Sequence, residues 1–397
     1  MRFLVVLTSY PFPPRTGNTI LAYNSIKHLS RDHEIDCICL ESEKYSHNEV
    51  EFVKKLVLIP HRQTPKYLLR ITSKIYMLLG IPPSVYLYSS RKMRDKVSEM
   101  IDTGKYDAIL LFEMNTIQYC PTYSYKYIIV NIEDPQSIKI MRMASLKVWS
   151  FLQRIKLLLF GKITESYEKK ILPKMAKVLL LSESDIQDFK KQYNYKNLGF
   201  VSYGIHKHPQ KDILGYNERT EGMILFSGNM FHPPNVDGAL FFLQQIFPLV
   251  RQKYNSAKLW IVGADPDIRI YEAAKCFGKN VVITGRVNDI SEYLRISIVS
   301  ICTVRLKIGV QTKILEALSW GTPVVTLSAG NSGIGAIPGQ ELFVEDNPKH
   351  FAARITELLR GENWNQLSDK GRTFVETQFS WEKSVEQLNK YIEQQKN

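Results

Sequence analysis

Residues 301–327 constrain the fold of this chain more than any other stretch. A helical run, Thr312 to Trp320, lies between a strand that ends near Val304 and a second strand, Pro323 to Leu327. Apolar strands joined by a helix in this way are typical of α/β folds with a parallel sheet. The stretch therefore predicts an α/β protein.

Two charged side chains on this helix indicate a ligand. Lys313 and Glu316 are three residues apart and share one helix face. Gly309 lets the backbone pass close to a ligand, and the free N–H groups of the first helical turn form an anion site. A nucleotide diphosphate fits this pattern, with phosphates on Lys313 and the amides and two ribose hydroxyls on Glu316. An ordinary helix with an exposed salt bridge explains the same residues equally well.

The first half of the chain opens with a similar unit. Strand Phe3 to Leu7 precedes a proline-containing loop, helix Thr19 to Leu29 and strand Ile35 to Leu40. This order and spacing predict a right-handed βαβ unit in a parallel sheet. The loop lacks the G-x-G-x-x-G pattern, so the dinucleotide fingerprint is absent.

Carboxylates follow two further strands of the first half. Ala108 to Phe112 and Tyr127 to Val130 read as buried parallel strands. Glu113 follows the first strand, and Glu133 and Asp134 follow the second. Ligands of open α/β sheets bind at the carboxyl ends of the strands, so these side chains are candidate ligand contacts.

The second half repeats the α/β pattern after a linker, Tyr203 to Gly222. A buried strand from Met223 reaches Gly228 and Asn229, and a helix from Val236 to Lys253 follows. Two further strands also run into glycines: Leu259 to Val262 before Gly263, and Val281 to Thr284 before Gly285. We expect one domain over 1–203 together with a last helix within 380–397, and a second over 204–379.

The segment KILEALSWGTPVV resembles the signature of glycosyltransferase family 4, K-x-x-E-A-M-A-x-G-x-P-V-V, and departs from it only at Leu318 and Ser319. That family contains retaining, nucleotide-sugar-dependent transferases. The resemblance implies a GT-B fold, in which two Rossmann-like domains face each other across a cleft and a C-terminal helix crosses back to the first domain.

One departure from the family concerns position 308. The family's E-(x)7-E motif would place its first glutamate there, and this chain has Ile308. A polysaccharide-building subgroup also lacks that glutamate and keeps an arginine-Gly-x-Gln-x-Lys pattern. The residues that resemble this pattern are Arg305, Gly309, Gln311 and Lys313.

The resemblance implies roles for residues of the second half. Glu316 binds the ribose, while Lys313 and Arg305 stabilise the charge that grows on the leaving diphosphate, which makes these two cations catalytic candidates. The predicted donor-binding residues are Gly228, Asn229, Arg286, Val287, Gly309, Val310, Gln311, Thr312, Lys313 and Glu316.

The resemblance also reaches the first half. Gly17 and Asn18 match the family's first loop, which lines the cleft, although a loop glycine with positive φ is an equally compatible interpretation of Gly17. Glu113 joins them as a candidate at the acceptor side. We expect no protein nucleophile, because retention in this family is thought to proceed on one face of the sugar.

The segment NIEDPQSIKIMRM resembles the subgroup's D-x-x-D-x-x-S segment, whose polar side chains face the donor sugar. Asp134 and Ser137 match, and Asn131 replaces the first aspartate. Asp134 is therefore a third catalytic candidate and Ser137 a cleft residue. Alternatively, Asp134 starts a turn and caps a helix that begins at Gln136.

Composition agrees with a two-domain soluble protein. The chain has 397 residues, of which 44% are hydrophobic and 23% charged. Five cysteines in apolar, strand-like contexts indicate reduced thiols. We expect a cytoplasmic protein without a signal peptide, because no run is apolar enough to span a membrane and the apolar stretch near the amino terminus is short.

Positive charge is concentrated in the first half. Residues 1–203 carry 30 Lys and Arg against 19 Asp and Glu, whereas residues 204–397 carry 22 against 20. The basic residues cluster at 54–96 and 139–177, among apolar and aromatic side chains that include Trp149 and Phe151. Peripheral contact with an anionic membrane surface and plain solvation both explain this distribution. Nucleic-acid binding is disfavoured, because no recognition motif for it is present.

These observations predict a retaining glycosyltransferase that uses a UDP- or GDP-linked sugar and acts on a sugar or a lipid-linked glycan. No cofactor and no metal are expected, because no D-x-D motif follows a strand directly. Asp265 and Asp267 have that spacing but read as a turn. Two alternatives are a GT-B nucleotide-sugar epimerase and a non-catalytic partner that binds nucleotide sugar within an assembly complex.

Overall fold

The structure is a computed structural model that describes residues 1–14, 16–41, 50–61, 72, 75–120, 128–193, 195–307 and 309–394. The chain forms two compact units. The first unit contains Met1–Ala144, Leu152–Gly204 and Trp381–Asn397, and the second contains Ser145–Phe151 and Ile205–Ser380. The predicted division assigned 145–151 to the first domain, but this segment packs on the second unit, where Val148 lies against the hydrophobic core.

The first unit is built on a parallel sheet of seven strands in the order β3-β2-β1-β4-β5-β6-β7. The strands are β1 (Arg2–Leu7), β2 (Glu34–Glu41), β3 (Lys55–Pro60), β4 (Ala108–Phe112), β5 (Ile128–Glu133), β6 (Lys177–Leu180) and β7 (Leu198–Phe200). Because β1 lies between β2 and β4, the strand order reverses there, which places the carboxyl ends of β1 and β4 at the edge where open α/β sheets bind ligands.

Helices cover this sheet. They are α1 (Gly17–Leu29), α2 (Pro83–Leu87), α3 (Arg91–Gly104), α4 (Gln136–Met143), α5 (Phe151–Ile171), α6 (Glu183–Gln192) and, from the end of the chain, α15 (Trp381–Glu393). Thr16 and Thr19 form a capping box at the start of α1, and the Ser182 side chain caps α6 by accepting from Asp185 N. The long helix α5 begins at Phe151, and Leu146 is buried in the segment before it.

The predicted strands of this unit are confirmed within a few residues. Ala108–Phe112 has the expected bounds, and all five of its residues are buried because helices cover both faces of the sheet. The fifth strand extends further than expected, to Glu133, so Asn131 and Glu133 belong to the strand itself. Tyr127, where we expected that strand to begin, lies outside the described residues.

The second unit has a parallel sheet of six strands in the order β10-β9-β8-β11-β12-β13. The strands are β8 (Thr220–Ser227), β9 (Lys258–Val262), β10 (Val281–Gly285), β11 (Ser297–Cys302), β12 (Val324–Thr326) and β13 (Phe343–Val344). The order reverses between β8 and β11. The loops that follow these two strands therefore start at the switch point of the sheet.

The helices of the second unit are α7 (Pro233–Phe241), α8 (Phe247–Lys253), α9 (Ile268–Ala274), α10 (Ser291–Ile296), α11 (Thr312–Ser319), α12 (Ser328–Asn331), α13 (Pro348–Leu359) and α14 (Trp364–Gln378). The single helix predicted over 236–253 is interrupted by a π-helical turn, Phe242–Ile246. Pro248 accounts for the break, since it has no N–H to continue the α-helical ladder.

Two cysteine predictions need correction. Cys37, Cys39 and Cys302 lie buried in strands as expected, but Cys120 follows a 3-10 turn. Cys276 lies exposed in another 3-10 turn. The short apolar context of Cys276 was mistaken for a strand.

No helix among the described residues is both long enough and apolar enough to cross a lipid bilayer.

Candidate functional site

Glycines lie at the carboxyl ends of three neighbouring strands in the sheet of the second unit. Gly228 follows β8, Gly263 follows β9, and Gly285 ends β10. The Gly228 N–H donates to Val262 O at 3.1 Å, and the Gly263 N–H donates to Gly285 O at 3.1 Å. A Cβ atom on Gly263 would lie 1.6 Å from Gly228 O. Glycine at 263 therefore allows the loops to pack directly on one another at this edge.

Lys313 reaches this edge from α11. Its Nζ donates to Asn235 Oδ1 at 2.6 Å and lies 5.3 Å from the ring centre of Phe226. A Cβ atom on Gly228 would lie 2.9 Å from the same Nζ. The predicted phosphate contacts Gly228 and Lys313 are therefore brought together, and the absence of a side chain at 228 leaves room for the ammonium group.

Asn235 is a site residue that the sequence analysis did not identify. It is buried in the first turn of α7, and its Nδ2 donates to Asn229 O at 2.9 Å while its Oδ1 accepts from Lys313. The Asn229 side chain accepts from Phe231 N at 2.9 Å, so Asn229 shapes its own turn. Asparagine is a poor helix former, and its presence inside a helix after a strand-end glycine was the available signal.

The charges of Lys313 and Glu316 are perturbed by burial. Burial lowers the pKa of Lys313, an effect that the nearby Glu316 opposes. Burial raises the pKa of Glu316 to about 7, and the positive charge of Lys313 opposes this shift. Lys313 has an amide oxygen rather than a carboxylate as its hydrogen-bond partner, so an incoming phosphate would add a hydrogen-bonded counter-charge to that of the nearby Glu316.

The start of α11 presents backbone amides. Gln311 occupies the N-cap position, and its side chain makes no capping hydrogen bond. Residues 309–313, among them Val310 and Thr312, are half-buried. Gly309 has φ 56°, and a Cβ atom on Gly333 would lie 2.0 Å from Gly309 O, so this loop is tightly packed. Ile308 lies outside the described residues.

Arg305 has a carboxylate partner that the sequence analysis missed. Its Nε donates to Asp237 Oδ2 at 2.7 Å and its Nη2 to Asp237 Oδ1 at 2.5 Å. The guanidinium carbon lies 5.0 Å from the ring centre of Phe241, one turn further along α7. Asp237 is buried, so this bidentate pair fixes Arg305 and balances its charge.

Arg286 and Val287 follow the third strand-end glycine. Arg286 is exposed and lies 3.7 Å from Asp265, which is also exposed, and Val287 is half-buried. Asp265 has φ 51°, and Asp267 caps α9 by accepting from Arg269 N at 2.9 Å. The interpretation of residues 265–267 as a turn is confirmed.

Glu113 anchors a polar cluster at the edge of the first sheet. Its Oε2 accepts from Thr8 Oγ1 at 2.7 Å and its Oε1 from Asn18 Nδ2 at 2.6 Å, so the predicted residues Asn18 and Glu113 do meet. Gly17 is the exposed first residue of α1 and does not have positive φ, so the alternative interpretation of this glycine is wrong. A Cβ atom there would meet no atom within 4 Å.

Asp134 is held by the helix that follows it. Its Oδ2 accepts from Lys139 Nζ at 2.9 Å and its Oδ1 from Gln136 Nε2 at 2.6 Å. The N-cap position of α4 is Pro135, with no side-chain cap, so the interpretation of Asp134 as a helix cap is wrong. Asp134 is buried and paired with Lys139.

Glu133 has the most perturbed environment at this edge. It has φ 64°, and Glu113 on the neighbouring strand end has φ 73°, in a region that non-glycine residues rarely occupy. Burial, together with the charges of Asp134 and Glu113, raises the pKa of Glu133 to about 8, although Lys139 opposes the shift. Strained backbone and a perturbed carboxyl occur together at functional sites.

The prediction that Ser137 faces a ligand is wrong. Ser137 is fully buried, its hydroxyl donates to Glu168 Oε2, and its N–H donates to Glu168 Oε1 at 3.1 Å. The hydroxyl also lies 3.0 Å from Tyr193 OH. Glu168 thus binds the start of α4 from α5, and Ser137 is part of that internal connection.

Comparison with known proteins finds a family match within the second unit. The family Glycosyl transferases group 1 matches residues 221–361, which include the strand-end glycines and α11. An uncharacterized 44.6 kDa protein in the cps region of Klebsiella pneumoniae is 22% identical over 415 residues, covering 96% of this chain and 97% of that protein.

Two solved structures share the fold over nearly the whole chain. Sucrose-phosphate synthase from Thermosynechococcus elongatus superposes with a TM-score of 0.71 at 16% identity, covering 99% of each chain. WaaG, a glycosyltransferase involved in lipopolysaccharide biosynthesis, superposes with a TM-score of 0.66 at 15% identity, covering 97% of this chain and 98% of that chain. The predicted fold class is confirmed: the chain has the two-sheet GT-B fold of these structures, and residues 221–361 match a Glycosyl transferases group 1 domain.

Proposed function

We propose that the protein is a retaining, metal-independent glycosyltransferase that moves a sugar from a nucleotide-diphosphate sugar to an acceptor hydroxyl. The observation that carries this proposal is the arrangement around Lys313. Its ammonium group lies beside Gly228 and on Asn235, at the start of a helix without a side-chain cap. Glu316 lies one turn further along the same helix. The negative diphosphate matches the Lys313 cation at the helix start, and the hydroxyls of the adjoining ribose match the Glu316 carboxylate one turn further along.

The proposed catalytic contribution is stabilisation of the leaving diphosphate. Negative charge grows on it as the bond to the sugar lengthens, and donors already in place lower the energy of that charge. Lys313 supplies a partly desolvated cation, and residues 309–312 supply the amides at the helix start. Because Asn235 holds Lys313 before a ligand arrives, little reorganisation is needed. On this proposal the leaving phosphate takes the acceptor proton, so no protein nucleophile is required.

The pairing of Arg305 with Asp237 refines its role. A guanidinium that already balances a buried carboxylate offers less net charge to a phosphate than a free one would. We therefore assign the larger electrostatic share to Lys313. Arg305 contributes directed N–H donors and fixes the chain that leads from β11 towards Gly309.

The first unit would present the acceptor through the edge that carries Glu113 and Asn18. The Glu113 carboxylate is fixed by Asn18 and Thr8, and carboxylates and amides are suitable hydrogen-bond partners for sugar hydroxyls. Asp134 accepts a hydrogen bond from Lys139, so we propose that the two side chains contribute together as an ion pair at this edge. The neighbouring Glu133, with its raised pKa, remains protonated near neutral pH and can donate a hydrogen bond.

We place this activity in the assembly of a cell-surface polysaccharide or glycolipid, with a sugar or a lipid-linked glycan as acceptor. The relative from a cps region and the likeness to a glycosyltransferase of lipopolysaccharide biosynthesis support this setting. The excess of basic residues in the first half supports contact with an anionic membrane surface on the cytoplasmic side.

The decisive experiment is thermal stabilisation by a panel of UDP- and GDP-linked sugars, followed by product analysis with the best donor. A selective donor present at a hundredfold excess over its Kd should stabilise the protein by about 2.7 kcal/mol. Transfer to a glycan acceptor with retained configuration supports the proposal.

Three results separate the alternatives. Release of free nucleotide with an epimerised sugar and no acceptor would identify an epimerase. Tight donor binding without turnover on any glycan would identify a non-catalytic partner. Absence of stabilisation by every nucleotide sugar would refute the donor site itself.

A further inference from the structure

An apolar stripe is exposed on the first half of α5. Its five members are the exposed large hydrophobic residues of this helix: Phe151 (76% exposed), Leu152 (77%), Ile155 (49%), Leu158 (48%) and Leu159 (52%). At about 100° per residue, these positions fall within an arc of about 120° on the helix surface. The spacing is that of an amphipathic helix, and its apolar face is exposed in the part of the chain that the structure describes.

A different face of the same helix attaches it to the first unit. Gly161, Thr164 and Glu168 are buried, and a Cβ atom on Gly161 would lie 2.4 Å from the Met141 side chain. Together with Glu165, which is also buried, this row is centred about 130° away from the stripe around the helix axis. The packing that holds the helix in place therefore leaves the stripe exposed.

Basic side chains surround the stripe. Residues 145–164 contain Lys147, Arg154, Lys156 and Lys162 and contain no Asp or Glu. Lys147 and Lys156 are exposed, and the Lys162 side chain is 71% exposed while it pairs with Glu165. A helix with an apolar face and basic flanks has the composition of segments that lie in the interface of an anionic bilayer.

The charge of the chain favours a lipid surface over a second copy of the protein. The net charge is +13, and nearly all of the excess lies in the half that contains α5. Two copies that met through this stripe would bring like charges together, which disfavours that contact. An anionic bilayer offers acyl chains to the apolar face and negatively charged headgroups to the basic flanks.

We propose that the first half of α5 docks on an anionic membrane surface, with the stripe buried at the boundary between headgroups and acyl chains. The proposal deepens the membrane contact included in the proposed function, since it names the segment and adds apolar insertion to charge attraction. Leu152 and Leu159 are central to it. Lys156 and Lys162 would lie among the anionic headgroups.

The test is co-sedimentation of the full chain with phosphatidylcholine vesicles that contain or lack phosphatidylglycerol. The variant is Leu152→Ser combined with Leu159→Ser. The matched control is Ile268→Ser combined with Ile337→Ser, two exposed apolar residues of the second unit (67% and 52% exposed). We expect binding to the anionic vesicles to weaken by about tenfold or more in the stripe variant and to remain unchanged in the control.

A charge variant separates insertion from attraction alone. Lys156→Gln with Lys162→Gln should also weaken binding to the anionic vesicles, whereas the exposed pair Lys349→Gln with Lys370→Gln should not. The proposal is overturned if the stripe variant binds like the wild type, or if the wild type binds neither kind of vesicle. It is also overturned if the wild type ignores lipid and forms a dimer that the stripe variant cannot form.

A separate measurement keeps this result distinct from the proposed activity. Stabilisation by nucleotide sugars should be the same in the stripe variant and the wild type, because Leu152 and Leu159 are exposed residues of the first unit and the donor-site residues belong to the second. Circular dichroism of each variant confirms that the helix is retained. Loss of vesicle binding with intact nucleotide-sugar stabilisation would support the docking proposal, and intact vesicle binding without such stabilisation would count against the donor site alone.

Discussion

Replacement of Glu316 by Gln tests the donor site through its dependence on pH. If the ionised carboxylate accepts from two ribose hydroxyls, Glu316→Gln should weaken binding of the nucleotide diphosphate by about 1.5–3 kcal/mol at pH 8, the usual strength of hydrogen bonds to a charged group. Gln has nearly the same size as Glu and remains neutral. We therefore expect the fold to be unchanged.

The raised pKa of Glu316 predicts the pH profile. With a pKa of about 7 in the free protein, the carboxyl is mostly ionised at pH 8 and mostly protonated at pH 6. Binding of the ribose requires the ionised form, so the wild-type Kd should rise about tenfold between pH 8 and pH 6, or about 1.4 kcal/mol. The Gln variant has no proton to exchange at this position and should lack this dependence.

Isothermal titration calorimetry with UDP and GDP at several pH values measures both effects. The ligand's own phosphate groups also titrate, and the Gln variant measured in parallel corrects for this contribution. The ratio of the two Kd values should therefore change by about tenfold across the range. Equal affinity of variant and wild type at pH 8, or an identical pH dependence, would refute the assignment of Glu316 to the ribose.

Three further predictions concern Lys313, Asn235 and Glu168. Lys313→Ala should lower kcat more than it raises KM in a transfer assay, because its charge matters most in the transition state; a normal kcat would show uniform binding instead. Asn235→Ala should reproduce part of that loss, about 1–3 kcal/mol. Asn235→Gln should not restore it, because the longer side chain places its amide oxygen at a different distance from Lys313; full activity of the Gln variant would contradict this. Burial raises the pKa of Glu168 to about 7, so the native state binds more protons than the unfolded state above pH 4.5. The free energy of unfolding should therefore fall by on the order of 3 kcal/mol as pH rises from 4.5 to about 7. Urea titrations of Glu168→Gln should show a smaller fall, and a profile parallel to the wild type would refute this reasoning.

Local pattern was sufficient to predict the strands and the donor helix. The Ala108–Phe112 strand and the Thr312 helix start could be predicted because apolar runs, glycines and helix periodicity are encoded within a few residues. Family resemblance then supplied roles that periodicity alone leaves open.

Contacts between distant residues could not be predicted in the same way. Asp237 lies 68 positions from Arg305, and Asn235 lies 78 positions from Lys313. No local pattern encodes such partners. Ser137 shows the reverse error, since a motif match suggested a ligand contact while Glu168 and the packing of α5 bury the side chain.

The interleaving of the two units along the chain has a consequence for biosynthesis. The ribosome completes the last helix of the first unit, Trp381–Glu393, only after the whole second unit has been synthesised. The segment Ser145–Phe151, in turn, is made long before the rest of the unit on which it packs. Each unit therefore needs a segment that is synthesised far from the rest of it. In the nascent chain, that segment or the remainder of the unit stays unpaired until its distant partner has been made. A fragment limited to Ile205–Ser380 would lack Val148, whose carbonyl accepts from Arg269, and should be less soluble than the whole chain.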